Sequence, residues 1–487
     1  MNRRLGPLPY AGLVLLVLVL GGVGAAQAAT LGPLAVWGSA FLSSWLLAPL
    51  VVMRQYDLGR SPDDAVWTVL PVLGHAFALY LILQGTPSDA ARTRSLARWE
   101  GQVGALRAFG LGLRAAGRGA LVVAPLVLVA ALLDVWMLED LKGFLGWSEE
   151  LPLATREGLS QAMLVGIGVL GLYTALQVVK RKTVSRASWL PSLFLPPLLF
   201  LWGTVFMLSM PGSGPGRNIL LTFGWGLLMD TVLGAGLAIA WIVLGEQLRF
   251  GRASLGGVVK IALRRLADVS GPHGARVLAV SLGMQVVVPG LYYAVQLALT
   301  DMAAVLEPDA PALSRSSRLT WGIRGRMLKI LFLGVLLAAP LQLGSVVAFQ
   351  GAEALVTFFT LPGFLPVEVA FLGAVGSFLS SAVVTLALLE VYRERVQRAV
   401  AGQPARAETA PVGAEDGEPL AAAEATLPAW FSEAGHLESL GADGLGALRW
   451  LAGAMIAVGV GLFAVSGLGW VFVGAGVALL AGSFALR

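Results

Sequence analysis

The stretch VVVPGLYYAVQLALTDMAAVLEPDAPALSRSSRLTWGIRGRMLK, residues 286–329, decides the fold class of this chain. An apolar run breaks at Pro289 and Gly290, resumes, and ends in a short acidic turn. An Arg-rich amphipathic segment follows and leads into another apolar run. Continuous apolar runs flanked by clustered cations are typical of membrane helices whose ends lie in water. The stretch therefore predicts a membrane protein, but it indicates neither a reaction nor a substrate.

The composition extends this interpretation to the whole chain. The 487 residues are 57% hydrophobic and 13% charged, whereas soluble domains carry about 25% charged residues. The apolar runs are continuous and do not alternate with polar residues, which favours helices over the strands of a membrane barrel. We predict an all-α fold, a polytopic transmembrane helical bundle of about 11–13 membrane helices with interfacial amphipathic helices.

The charge pattern narrows the functional classes. The net charge is +5, but the Lys and Arg residues lie between apolar runs, which indicates the positive-inside pattern rather than nucleic-acid binding. The absence of Cys excludes thiolate metal sites and Cys nucleophiles. A GxGxxG pattern at 166–171 lies inside an apolar run and so does not predict a dinucleotide site. We predict no catalytic residue, no metal and no cofactor.

The cations also predict an orientation. Arg118 and the regions 180–182 and 249–265 are expected in the cytoplasm, and the acidic connection 139–157 outside. Upstream the alternation fails, because three full crossings would place the Arg-rich connection 85–118 outside. Either one of the first three apolar runs does not cross the membrane, or the positive-inside rule fails in this part of the chain.

Two local features bear on this topology. The run 65–84 contains Pro71 and His75 and is our candidate for a re-entrant or tilted element. The segment 254–268 suits a basic helix in the interface. Around Pro289, a turn between two short crossings is favoured over one kinked crossing, since only the turn returns 315–329 to the cytoplasm.

Four segments are predicted. They are an N-terminal transmembrane bundle (1–245), a membrane-domain module (246–395), an acidic Ala/Pro/Gly-rich cytoplasmic linker (396–446) and a C-terminal transmembrane hairpin (447–487). In the hairpin, small residues recur every four positions, which favours close helix packing or dimerisation. They are Gly453, Ala457, Gly461, Gly474, Ala478 and Gly482.

Ionisable residues inside apolar runs are candidates for an intramembrane polar site, because burying a charge in the bilayer is costly. Asp230 lies near the middle of one run, Asp301 in another, and His75 in a third. For Asp230 the alternatives are a structural carboxyl between helices and a proton, cation or substrate path. Asp301 is alternatively placed near the cytoplasmic surface, at the turn that follows Glu307.

A second candidate site is the basic cluster beside the membrane. Cations near an anionic surface attract lipid headgroups, although the same cations also fix topology. The candidate residues for lipid contact are Arg315, Arg318, Arg324, Arg326 and Lys329.

The residues 312–322, ALSRSSRLTWG, resemble the A-L-x-R-S-x-x-L-T-x-G pattern of a bacterial family. This family comprises the membrane domain of some glycerophosphoryl diester phosphodiesterases and related multi-pass proteins. The resemblance covers roughly 250–395. It carries over no catalytic residue, since the phosphodiesterase activity of that family belongs to a separate soluble domain that has no counterpart here.

Two functions are therefore expected. The first is a non-enzymatic scaffold or lipid-interacting component of a larger system in the bacterial inner membrane, multi-pass, with a cytoplasmic C-terminus. The alternative is a transporter or permease with a polar path near Asp230. The expected partners are membrane lipids and other membrane proteins or a second copy of the chain, with no nucleic acid.

Overall fold

The computed structural model describes twelve ranges of the chain, together with single positions between 449 and 480. These ranges are 7–28, 33–60, 62–84, 87–88, 103–150, 152–155, 158, 233–251, 253–284, 288–307, 310–351 and 366–400. Within them the regular secondary structure is entirely helical, which confirms the predicted all-α fold.

The chain divides into two compact units. The first comprises residues 1–111 and 325–333, and the second comprises 112–324 and 334–487. The segment boundaries expected from the sequence stay predictions. The linker and most of the C-terminal hairpin lie outside the described residues.

The first unit is built around a pair of long helices, α1 (Pro7–Ala28) and α2 (Pro33–Asp57). A 3-10 helix (Pro62–Val69) and α3 (Pro71–Ile82) follow. Pro71 begins α3 rather than lying inside a helix, because a missing N–H is tolerated in the first turn. The 12 residues of α3 rise about 18 Å, short of the ~30 Å of hydrocarbon. The run 65–84 is thus not one crossing helix.

The second unit contains most of the described helices. Helix α4 (Ala105–Arg118) begins in the first unit and continues here, and α5 (Ala120–Glu150) follows it. The others are α6 (Ala235–Arg249), α7 (Leu255–Met284), α8 (Val288–Gln296), α9 (Thr300–Leu306), α10 (Ala312–Thr320), α11 (Arg324–Gln350) and α12 (Val367–Val400). A short stretch of α11, residues 325–333, belongs to the first unit.

Three of the described helices are long and apolar enough to cross a membrane by length and composition. They lie at Pro7–Gln27, Arg324–Phe349 and Val367–Arg398. A fourth span is present if the bent pair α4 and α5 counts as one. The chain is therefore an α-helical membrane protein. The predicted count of crossings includes runs outside the described residues.

Helices α11 and α12 run antiparallel in the second unit. The Ser380 hydroxyl donates to the Gly334 carbonyl at 2.6 Å, and the Gln342 amide donates to Ser377 at 2.7 Å. As the contact position advances along α11, it recedes along α12. Small residues and short hydroxyl side chains allow this close approach, which is how membrane helices associate without a hydrophobic drive.

The chain reverses direction between α7 and α8. A Cβ added at Gly283 would lie 2.7 Å from the backbone nitrogen of Gly290, although residues seven apart in one helix lie about 10 Å apart. The reversal agrees with the predicted turn. However, α8 has nine residues and α9 seven, so neither is a crossing helix on its own.

Helix α7 differs from the sequence prediction. It runs unbroken for 30 residues through Pro272, whereas we expected a separate interfacial helix over 254–268. Contacts to α9 lie on both sides of Pro272: Arg265 precedes it and Arg276 follows it, and both bond to α9. Tertiary contacts thus override the helix-breaking tendency of proline.

Candidate functional site

The ends of four helices in the second unit meet in a layer of charged side chains that we call the polar layer. Helices α6, α9, α10 and α12 contribute to it. Its members are Glu246, Glu307, Arg315, Tyr392, Arg393 and Arg395. The segments 249–265 and 315–329 were both expected in the cytoplasm, and the polar layer contains Arg315 of the second and Glu246, which lies just before the first.

Glu307 is the centre of one half of the polar layer. Its Oε1 accepts a hydrogen bond from the Tyr392 hydroxyl at 2.6 Å and another from Arg315 Nη2 at 3.2 Å. Arg315 Nε also lies 2.8 Å from Glu307 Oε2. A buried carboxylate needs such compensation, because an unpaired charge in a protein interior is strongly destabilising. These bonds join the loop after α9 to α10 and α12.

Glu246 and Arg393 form the other half. Arg393 Nη2 lies 2.7 Å from Glu246 Oε1 and also donates to the Gly245 carbonyl at 3.0 Å. Burial raises the pKa of Glu246, and the neighbouring Arg393 offsets this only in part. A Cβ at Gly245 would lie 2.5 Å from a methyl group of Leu389, so α6 and α12 approach closely here. The pair thus fixes the end of α6 against α12.

Buried arginines also cap the ends of short helices. Arg395 of α12 donates to the carbonyls of Leu319 and Trp321 at 2.9 and 3.0 Å, at the end of α10. Arg265 of α7 donates to Ala304 and Val305 at the end of α9. The last carbonyls of a helix lack intrahelical donors and carry partial negative charge. A guanidinium group supplies both the missing hydrogen-bond donors and a compensating positive charge.

The first unit contains the same arrangement. Arg54 of α2 is fully buried and donates to the carbonyls of Leu81 and Gln84, at the end of α3. Its guanidinium also lies 5.9 Å from the centre of the Tyr10 ring. The positive-inside pattern does not distinguish such capping arginines from surface cations, because it records only their position in the sequence.

Asp301 lies in a buried cluster with two residues that the sequence did not associate with it. Its carboxylate lies 3.1 Å from His273 Nδ1 and 3.0 Å from Arg276 Nη2. Burial alone would raise the pKa of Asp301, but Arg276 and His273 outweigh it and hold the pKa at about 2. Helix α9 lies outside the candidate spans. A carboxylate that stays ionised at neutral pH holds α7 to α9 and is unsuited to proton exchange.

The other two candidates for an intramembrane site are placed differently. His75 of α3 lies 3.0 Å from the Ser43 hydroxyl of α2, within the first unit. Asp230 lies outside the described residues. The part of the chain that the structure describes contains no group of three or more His, Cys, Asp or Glu side chains that could hold a metal ion.

The inner face of α10 consists of residues from the pattern A-L-x-R-S-x-x-L-T-x-G. Ser316 bonds to the Gln296 carbonyl and the Leu299 amide, which fixes the turn between α8 and α9. Thr320 also donates to Gln296, and Leu319 is fully buried. Gly322 adopts a φ of +78°, a conformation that residues with a Cβ avoid. These pattern positions serve packing and chain direction.

The outer face of α10 and its surroundings form an exposed basic-aromatic patch. We define the patch by Arg318, Trp321, Arg324, Tyr292 and Tyr293. Arg318 is exposed, and the three rings are each at least 40% exposed. The Arg324 guanidinium lies 4.6 Å from the Trp321 ring centre and 5.0 Å from that of Tyr292. The patch lies at the N-terminal end of the candidate span α11, whose first residue is Arg324.

The remaining cations predicted to contact lipid face protein instead. Arg315 bonds to Glu307, and Arg326 is buried. Lys329 pairs with Asp64 within the first unit. Of the five predicted residues, Arg318 is exposed, and Arg324 is half-buried beside the Trp321 and Tyr292 rings.

Sequence reasoning missed the residues that pair across helices, namely His273, Arg276, Glu307, Tyr392 and Arg395. One signal was available: His273 and Arg276 are three apart on one helix, a spacing that places both on one face. Their common neighbour, Asp301, lies too far along the chain for spacing to reveal it.

No protein-family model, no curated protein and no solved structure matches this chain.

Proposed function

We propose that this protein is a non-enzymatic, lipid-interacting scaffold of the bacterial inner membrane, multi-pass, with its polar layer and C-terminus on the cytoplasmic side. The observation that carries the proposal is the basic-aromatic patch at the start of α11, where Arg324 stacks against Trp321 and Tyr292. Aromatic rings and arginines are enriched at headgroup level, where one part of the side chain is apolar and the other is wet.

The polar layer supports the scaffold part of the proposal. Its ion pairs and capping arginines join four helix ends, and its carboxylates Glu246 and Glu307 are both paired. A rigid layer next to an exposed cationic patch suits attachment to lipid or to another membrane protein. The resemblance of 312–322 to the membrane domain of glycerophosphoryl diester phosphodiesterases agrees with such an accessory role and remains part of the proposal.

Bound lipid tests the proposal directly. The full chain and the variant Arg318→Gln/Arg324→Gln are purified in mild detergent, and the phosphatidylglycerol retained per protein is measured by mass spectrometry. We expect the Gln variant to retain several-fold less, since each cation near an anionic surface contributes about 1 kcal/mol.

The matched control is Arg318→Lys/Arg324→Lys, which keeps both charges and should retain most of the lipid. Equal retention by the Gln variant and the unchanged chain would rule out the patch as a lipid contact. The alternative of transport near Asp230 concerns residues outside the described ranges and stays a prediction.

A further inference from the structure

We infer that α4 lies in the plane of the membrane surface and binds anionic phospholipid headgroups through Arg114 and Arg118. This surface lies on another helix than the basic-aromatic patch, and the inference does not depend on lipid binding there. It requires that the second unit is embedded in a bilayer with the polar layer at headgroup level.

The outer face of α5 shows where the hydrocarbon begins. Large apolar side chains are exposed at Leu121, Leu128, Leu132 and Trp136, and Leu121 is 91% exposed. Their spacing of seven, four and four residues places them on one helix face. The stripe is about 22 Å long, most of the ~30 Å hydrocarbon thickness. An exposed stripe of this kind faces lipid, so the hydrocarbon begins within two residues of Gly119.

The angle between α4 and α5 then fixes the direction of α4. The two helices meet at 89°. The apolar part of α5, Ala120–Trp136, rises about 26 Å, close to the ~30 Å of hydrocarbon, whereas α4 has 14 residues, three of them arginines. With α5 along the membrane normal, α4 runs parallel to the membrane at the boundary marked by Gly119.

The two opposite faces of α4 have different chemistry. Gly112 and Ala116 are buried, and a Cβ at Gly112 would lie 2.5 Å from the Val383 carbonyl of α12. Arg114 and Arg118 are exposed, and positions 112 and 114 are separated by about 200° around the helix. The cations therefore point away from the protein, and the sequence of α4 contains no acidic residue to neutralise them.

The depth of α4 matches headgroup level. Gly112 also approaches the backbone nitrogen of Ala387, six residues before Arg393 of the polar layer, or about 9 Å along α12. Interfacial helices bury their apolar side ~5–10 Å into the headgroup boundary. Leu113, 43% exposed beside the Arg face, gives α4 an apolar flank. An anionic phospholipid matches both features, because its headgroup pairs with the cations and its acyl chains contact this apolar flank.

Fluorescence quenching in vesicles tests the inference. The chain has no Cys, so Leu113→Cys provides a single labelling site for an environment-sensitive fluorophore. The labelled full chain is reconstituted into phosphatidylcholine vesicles that contain phosphatidylglycerol. In parallel samples one of the two lipids carries the same nitroxide near its headgroup, at equal mole fraction. We expect stronger quenching by the phosphatidylglycerol nitroxide, and a ratio near 1 for Arg114→Gln/Arg118→Gln.

Two controls make the outcome decisive. A label at Leu128→Cys should report the hydrocarbon in both backgrounds, which shows that the Gln variant is inserted and folded. In the Arg318→Gln/Arg324→Gln background the Leu113 signal should persist, so failure of the proposed function and failure of this inference are distinguishable. Equal quenching by both lipids in the unchanged Arg114 and Arg118 chain would overturn the inference, as would quenching of the Leu113 label only by aqueous iodide.

Discussion

The polar layer and the basic-aromatic patch share one short helix, α10, yet the two arginines that α10 contributes have opposite surroundings. Arg315 on the inner side of α10 bonds to Glu307, whereas Arg318, three residues later, is exposed. At the end of the helix, Arg395 reaches in from α12 to cap its carbonyls. The difference teaches that one cation-rich segment can supply both interior ion pairs and an exposed cationic surface.

The largest expected effect is on the interior side of this comparison. Arg395→Met removes the donors to the Leu319 and Trp321 carbonyls, and we expect the free energy of unfolding in detergent to fall by about 3 kcal/mol. Arg318→Met is the matched control, since Arg318 lies on α10 and is exposed. Its loss should cost less than ~1 kcal/mol. Equal losses of unfolding free energy in the two variants would show that the capping bonds of Arg395 contribute no additional stability.

A smaller effect is expected from the hydroxyl of the polar layer. Tyr392→Phe removes the hydrogen bond to the Glu307 carboxylate and keeps the ring, so unfolding should become easier by about 2 kcal/mol. Tyr293→Phe, at an exposed ring of the patch, should leave the unfolding midpoint unchanged. A clear loss in the Tyr293 variant would show that the patch, too, contributes to stability.

The smallest effect tests the patch itself. Arg324→Lys keeps the charge but loses the planar group that lies over the Trp321 and Tyr292 rings, a contact worth about 0.5–1 kcal/mol at exposed sites. We expect a slightly lower thermal midpoint in detergent. Arg318→Lys, at an exposed cation of the same patch, should leave the midpoint unchanged. If both variants behave alike, ring stacking is not what positions Arg324.

Within residues 312–322, most of the positions specified by the sequence pattern differ in their surroundings from the unspecified ones. The specified positions Arg315, Ser316, Leu319, Thr320 and Gly322 form the ion pair, the turn contacts, the core and the positive φ. The unspecified positions include Arg318 and Trp321, which face outward. In this chain these specified positions therefore serve packing, whereas Leu313, also specified, is exposed.

The sequence predicted some elements of the structure well and others poorly. It indicated helices and a turn near Pro289, because apolar runs, prolines and glycines act over a few residues. It predicted a break in α7 that the structure does not contain, since proline's local cost is offset there by contacts with α9. It assigned Arg326 and Lys329 to lipid, although the fold buries one and pairs the other with Asp64.

The sequence by itself determined that this is an all-helical membrane protein, because hydropathy and the positions of cations along the chain report how each segment partitions between water and hydrocarbon. Only the tertiary structure decided which arginines form ion pairs and capping hydrogen bonds in the interior and which remain at the surface. That choice depends on carbonyls and carboxylates far away in the chain, such as Leu319 for Arg395 and Glu246 for Arg393. A residue's charge is fixed by its type, but its desolvation and its counter-charge are fixed by the packing of other helices.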